Sequence, residues 1–248
     1  MKITIITVVF NDIEFLEETI LSVINQDYSD IEYIVIDGGS IDGSLGIIKK
    51  YDDQISNWIS ETDKGIYDAM NKGVVLSTGE VISFLNSGDL FQSNDVISKV
   101  MSSFLKSEVN LCYGDLVYVS RDLKRELRHW RSGELSSTQI DKGILLPHPV
   151  FFARKKMFND HGSFNTKYKI SADFDLILRF IKSAELSANY IPEVLVQMRD
   201  GGISNKNPVN IFKANLECYR ILKENGVKYP AIKIVKKISS KIGQRLNL

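Results

Sequence analysis

The chain has 248 residues, with 31 basic and 31 acidic side chains and no net charge at neutral pH. That length suffices for one full hydrophobic core with a small appendage, and the charge balance excludes a protein drawn to nucleic acid by its overall field. Cys112 and Cys218 are far apart, and the three histidines lack metal-ligand spacing, which suits reduced core thiols better than a disulfide or zinc framework.

Met1-Lys2 leads directly into the β-branched run Ile3–Val9, read as a strand and too short and poorly flanked for a signal peptide. No stretch approaches the roughly 20 apolar residues needed to cross a bilayer. A cytoplasmic protein is expected, with peripheral attachment to the inner face of the membrane left open. After the first strand, apolar positions Phe15, Leu16, Ile20, Leu21, Val23 and Ile24 predict a helix within 13–24, which Asn11 or Asp12 can cap. A strand over 31–36 runs into Asp37-Gly38-Gly39-Ser40-Ile41-Asp42-Gly43-Ser44, and a helix follows over 45–51. A third strand, Trp58–Glu61, leads through Thr62-Asp63-Lys64-Gly65 to a helix carrying Ile66, Tyr67, Ala69, Met70 and Val74.

This β-α alternation predicts parallel strands with right-handed crossovers and helices on both faces of the sheet. Each polar loop then opens on the same edge, which gathers Thr7, Asn11, Asp37, Asp63, Lys64 and Asp89. The fourth strand ends in Asn86-Ser87-Gly88-Asp89, which puts a carboxylate at the carboxyl end of a strand, where open α/β sheets bind ligands. The four residues can hold a divalent ion or can simply supply turn chemistry. The glycine-containing loops match neither a dinucleotide fingerprint nor a phosphate-binding loop. Gly39-Ser40 lacks the spacing of a hydrolase nucleophile elbow.

From about residue 96 the pattern changes. A helix over 96–104, a strand over 111–119 containing Asp115, and a basic stretch over 121–131 predict a second half with mixed strands. Leu145–Phe152 reads as another apolar strand, with two prolines fixing the backbone around His148, a residue open to packing or catalysis. Ser171 can cap a helix whose first turn holds Asp173 and Asp175, either complementing the helix dipole or placing a base in the cleft. A last strand over 195–199 meets a Gly201-Gly202 loop that can lie over the site. A helix over 209–225 stops at Gly226. The tail 231–248 sets Ile232, Val235, Ile238, Ile242 and Leu246 on one face beside five cations and no acid, as suits an anionic membrane surface or a docked final helix with a solvated basic side.

Five segments in order resemble the inverting family 2 glycosyltransferases of GT-A fold, especially those of bacterial O-antigen, lipopolysaccharide and exopolysaccharide assembly. They are Thr7-Val8-Val9-Phe10-Asn11, Asp37 to Ser44, Glu61 to Gly73, Phe84 to Asp89, and Ser171 to Leu176. The resemblance covers about residues 3–205. It implies an α/β GT-A fold with a Rossmann-like, mostly parallel sheet, a nucleotide-sugar half at 1–100, a mixed acceptor half at 101–205 and a helical extension at 206–248.

It further implies that Thr7, Val9 and Asn11 line a nucleotide pocket, that Asp37 accepts from the N3–H of a uracil-type base, and that Asp63, Lys64, Asn86 and Ser87 also belong to the donor site. Asp89 is implied to hold Mg²⁺ or Mn²⁺ on the donor diphosphate, and Asp173 to be the general base that deprotonates the acceptor hydroxyl. Asp175 is expected to be structural. His148 and Arg199 are candidate acceptor contacts. The implied partners are a UDP-sugar and a lipid-diphosphate-linked saccharide.

Two departures mark this chain: Asn86 and Gly88 stand where the family's metal motif has aspartates, and Met70 stands where it often has arginine. A sugar nucleotidyltransferase, disfavoured because the first loop lacks a glycine-rich basic signature, and a non-catalytic nucleotide-binding module are the alternatives.

Overall fold

A computed structural model describes residues 1–135, 146–183, 187–201 and 208–235. Its first half realises the β-α alternation. Strand β1 (Ile3–Val9) lies between β2 (Ile31–Asp37) and β4 (Val81–Phe84), and β3 (Asn57–Ser60) lies outside β2, all four parallel. The crossovers are α1 (Leu16–Ile24), α2 (Ser44–Lys50) and α3 (Ile66–Leu76).

The side-chain period of two divides β1 and β2 between two cores. Ile6, Val8, Ile34 and Ile36 meet α3 on one face, while Ile3, Ile5, Tyr33 and Val35 meet α1 on the other. Along α3, Gly73 permits the closest approach, since a Cβ there would stand 2.5 Å from Ile6 Cγ2.

The second half extends the same sheet with mixed direction. Beyond β4 come β8 (Phe151–Arg154), β6 (Leu111–Val119), β9 (Ala188–Arg199) and β5 (Leu90–Phe91), with β7 (Glu126–Trp130) paired to β6. Only β6 and β9 run parallel in this half; β8, β7 and β5 pair antiparallel to their neighbours. α4 (Val96–Lys106) covers one face, and α5 (Lys155–His161), α6 (Ala172–Ser183) and α7 (Pro208–Glu224) belong to the other. Cys218, Ile221 and Leu222 of α7 are buried with α6 in the main core, so the extension expected from residue 206 begins as a packed part of the domain.

Several local expectations need correction. α1 starts at Leu16 with no side-chain cap; Asn11 Oδ1 instead accepts from Ile41 N at 2.9 Å, and Asp12 Oδ2 from Ser87 Oγ at 2.6 Å. The apolar run ahead of Phe151 is a 3₁₀ turn, His148–Val150, rather than strand. The Ser171 hydroxyl, ahead of α6, donates to Ala214 O of α7 at 3.2 Å. Both cysteines are buried and free. Among the described residues no helix is long and apolar enough to cross a membrane. Leu145, Gly202 and the tail from residue 236 lie outside the described residues.

Candidate active site

The parallel strands deliver their loops to one edge, and cross-links between loops fix its shape. Asn11, held at φ 51°, joins the first loop to the second: its N–H donates to Ser40 Oγ at 2.8 Å. Ser87 and Asp12 join the fourth loop to the first. The turn Asn86–Asp89 closes through Asp89 N to Asn86 O at 3.0 Å, with Gly88 at φ +93°, a left-handed conformation that suits glycine. Thr19 of α1 buttresses it, accepting from Gly88 N and donating to Asp89 O, both at 2.9 Å.

Arg199, at the end of β9, is the main brace of that turn. Its guanidinium donates to Gly88 O at 2.9 Å and Arg121 O at 3.0 Å, pairs with Glu18 and stacks over Phe15. It is 7% exposed. Arg199 therefore supports the Asp89 loop rather than presenting itself to an acceptor, contrary to the sequence expectation.

The nucleotide-side candidates fall into two groups. Asn11, Lys64, Asn86, Ser87 and Asp89 lie in the loops at this edge. Thr7 and Val9 point into the core: Thr7 is fully buried, donates to Leu85 O at 2.8 Å and accepts from Tyr33 at 3.0 Å, while Val9 packs in the cluster of Leu16 and Ile20. Their side chains do not line a ligand site, and any contact from β1 is through its backbone end. Asp37 is buried and already accepts from Ser40 N, from Ser40 Oγ at 2.5 Å and from Ser60 Oγ at 2.6 Å. Asp63 is held by Lys72, which also contacts Glu61 at 2.7 Å. Lys64 is exposed.

Asp89 is the perturbed acid of the edge. Burial pushes its carboxyl up to about 8; Arg199 opposes that, and the nearby Asp12 adds to it. Close by in the chain, Asn86 Oδ1 is buried without a hydrogen-bond partner. A buried acid strained by loss of water, an orphaned amide oxygen and a second carboxylate are all hard oxygen donors, which fits Mg²⁺ or Mn²⁺. No group of three or more His, Cys, Asp or Glu side chains able to hold a metal occurs among the described residues. The protein donors are thus few, as suits an ion that keeps waters and takes substrate phosphates as ligands.

Asp173, the second residue of α6, lies against α3. Tyr67 of α3 places its hydroxyl 2.7 Å from Ile170 O and 3.1 Å from Asp173 Oδ1, and stacks on Phe164 at 5.5 Å. Burial raises the Tyr67 phenol well above its usual value, and Asp173 adds to this, so it stays a hydrogen-bond donor. His148 is buried between Phe84 and Phe164; burial lowers its pKa and Asp173 opposes the shift. Asp175 turns away to Arg179 at 2.9 Å, the structural part expected of it.

Sequence reasoning missed Tyr67, Tyr118, Arg128 and Asp12. Tyr118 on β6 has its phenol raised first by burial, with Arg128 opposing and then Asp89 and Asp173 both adding. Arg128 stacks over Tyr118 at 4.4 Å and Trp130 at 4.9 Å. The alternation Glu126, Arg128, Trp130 in the basic stretch was the available signal, and it marks one face of β7.

A parallel first half continued by a mixed second half in one sheet is the arrangement of the GT-A glycosyltransferase fold. The S. aureus TarS 1-349 structure in complex with UDP-GlcNAc aligns with TM-score 0.72 at 16% identity, over 90% of this chain and 66% of that one. A mannosyltransferase, PcManGT from Pyrobaculum calidifontis in complex with GDP-Man and Mn²⁺, aligns with TM-score 0.69 at 14% identity, over 95% and 68%. Against the longer TarS chain, this chain spans 39% of the length. The PGL/p-HBAD biosynthesis glycosyltransferase of Mycobacterium bovis (strain BCG / Pasteur 1173P2) is 30% identical over 190 residues, 74% of this chain and 72% of its own.

Residues 4–174 match the family described as Glycosyl transferase family 2, and the chain belongs to that family. Membership sets aside the sugar nucleotidyltransferase alternative.

Proposed function

We propose that this chain inverts configuration while moving a hexose from a nucleotide sugar, UDP-linked, to a saccharide carried on a lipid diphosphate, in the assembly of a bacterial surface polysaccharide such as O-antigen or exopolysaccharide. The observation that carries the reading is Asp173 at the head of α6, held by the Tyr67 hydroxyl of α3 at 3.1 Å, in a chain that also buries Asp89 in the loop after β4. A transferase needs both ends of that arrangement: an acidic anchor for the donor's diphosphate and a base for the acceptor. The solved neighbours named above hold UDP-GlcNAc and GDP-Man, which supports a nucleotide-sugar donor.

Asp173 accepts the proton of the acceptor hydroxyl as its oxygen attacks the anomeric carbon. The bond from that carbon to the diphosphate oxygen breaks, and the nucleoside diphosphate departs with the electron pair. An ordinary carboxylate is a weak base, so its effect lies in placement within hydrogen-bond reach as the hydroxyl proton becomes acidic. Tyr67 keeps it there. When bound, Mg²⁺ or Mn²⁺ would offset the charge growing on the leaving diphosphate. Asp89, Asn86 and Asp12 would hold it, and Lys64 adds positive charge at the same edge. Peripheral attachment at the inner face of the cytoplasmic membrane places the enzyme beside such an acceptor.

Calorimetric titration with UDP, with and without Mn²⁺, on the wild type and on Asp89→Ala tests the reading. Metal-dependent binding that disappears in the variant is expected. Equal binding without metal removes Asp89 from its role, and no UDP binding under either condition overturns the choice of donor.

A further inference from the structure

We propose that the outward face of α7, continued by the segment after it, docks this protein on an anionic lipid surface. Val209, Phe212, Leu216 and Tyr219 follow one another at helical spacing and form one stripe, and all four are exposed, Phe212 at 70%. Tyr229 and Ile232 expose further apolar surface beyond the helix. The opposite side of α7, through Cys218, Ile221 and Leu222, is buried in the core. A helix that already buries one apolar face and shows a second one needs a partner for the second.

The charges on α7 identify that partner. Both of its acids turn toward the domain: Glu217 accepts from the N–H groups of Lys169 and Ile170 at 3.0 Å and Ser171 at 2.9 Å, and Glu224 takes Lys167 at 2.5 Å and the Tyr168 hydroxyl at 2.7 Å. Lys213, Arg220 and Lys223 remain exposed. The outward side is therefore apolar and flanked by Lys213, Arg220 and Lys223, while the half-exposed Glu224 is already paired to Lys167, the pattern that lies in the interface of an anionic bilayer. A second copy docked by this face would bring the same three cations against one another, which disfavours a homodimer.

The inward side gives the docking a consequence that rests on the transfer reading above. Glu217 and Ala214 hold residues 169–171, the stretch that leads into Asp173. A membrane-seated α7 thus sets the height and orientation of the base relative to a lipid-carried acceptor.

The test is co-sedimentation of the full chain with vesicles of phosphatidylcholine alone or of equal parts phosphatidylcholine and phosphatidylglycerol, at low and high salt. Binding is expected to the anionic vesicles only, and to weaken with salt. Phe212→Glu with Leu216→Glu should lower vesicle affinity by about tenfold or more, and so should Lys213→Glu with Arg220→Glu. Circular dichroism and UDP titration on both variants separate loss of docking from loss of fold or of the donor site. If wild type ignores the anionic vesicles, or if folded variants bind them as well as wild type does, the proposal fails. A dimer in sedimentation velocity that the same substitutions dissolve would assign the face to a second copy instead.

Discussion

Asp173 sits at the head of α6 with a phenol beside it, and the pair sets the first expectation at the scale of single residues. Asp173→Asn keeps the shape and loses the base, so transfer should fall by about 10²–10⁴ while UDP binding in calorimetry is unchanged; unchanged turnover would remove Asp173 from the chemistry. His148 gives an expectation about pH. Burial pushes its pKa down in the folded chain, whereas the unfolded chain takes up a proton near pH 6.5. Below that pH the unfolded state binds more protons, so stability falls as pH falls; above it both states are neutral and the contribution is flat. Denaturant melts at pH 7.5 and pH 5 should therefore show a loss of stability in wild type that is smaller in His148→Gln, whatever offset the substitution adds. An identical pH dependence in the two would mean that burial does not lower the pKa of His148.

At the scale of elements, α3 links the two acids' neighbourhoods, because it packs on β1 through Gly73 and presents Tyr67 to Asp173. In an ordinary helix Gly→Ala stabilises by roughly 0.5–1 kcal/mol. Here the new methyl meets fully buried Ile6, which has no room to move, and overpacking of that kind costs about 1–3 kcal/mol. Gly73→Ala should thus be net destabilising in chemical denaturation, and a second change, Ile6→Ala, should reveal favourable coupling in a double-mutant cycle. Additive effects would show that α3 does not press on Ile6.

The legible elements are those whose signal is local. β1 to β4 and α1 to α3 follow from hydrophobic period and loop chemistry, and so do the polar loops at their carboxyl ends. What the chain did not disclose depends on pairing between distant segments. β5 is two residues long, and nothing in Leu90-Phe91 announces that Gln197 and Val196 will lie against it. That same pairing carries the end of β9 past the Asp89 turn. Arg199, which in the sequence is simply a cation before two glycines, becomes a buried brace only once β9 is so placed. Thr7 misleads for a related reason: alternation along β1 turns its hydroxyl to Tyr33 and Leu85. Tyr67 is visible only as one apolar position of a helix until α6 arrives beside it.

On the scale of the whole molecule, the parallel first half and the mixed second half are not separate bodies. β4 of the first is paired to β8 of the second, and β5, which precedes α4, is paired to β9, so the sheet is stitched across the midpoint twice. Ligand free energy gained at one edge is then shared by the entire fold. UDP with Mn²⁺ at about 100 times its dissociation constant should add about 2.7 kcal/mol to unfolding, raising Tm by several degrees for a chain of this size. Calorimetry should show one transition that moves as a unit, and Asp89→Ala should abolish the shift. A scan that split on adding UDP and Mn²⁺, with only the first part moving, would show instead that the two halves unfold independently and that the stitching through β8 and β9 is too weak to couple donor binding to the position of Asp173.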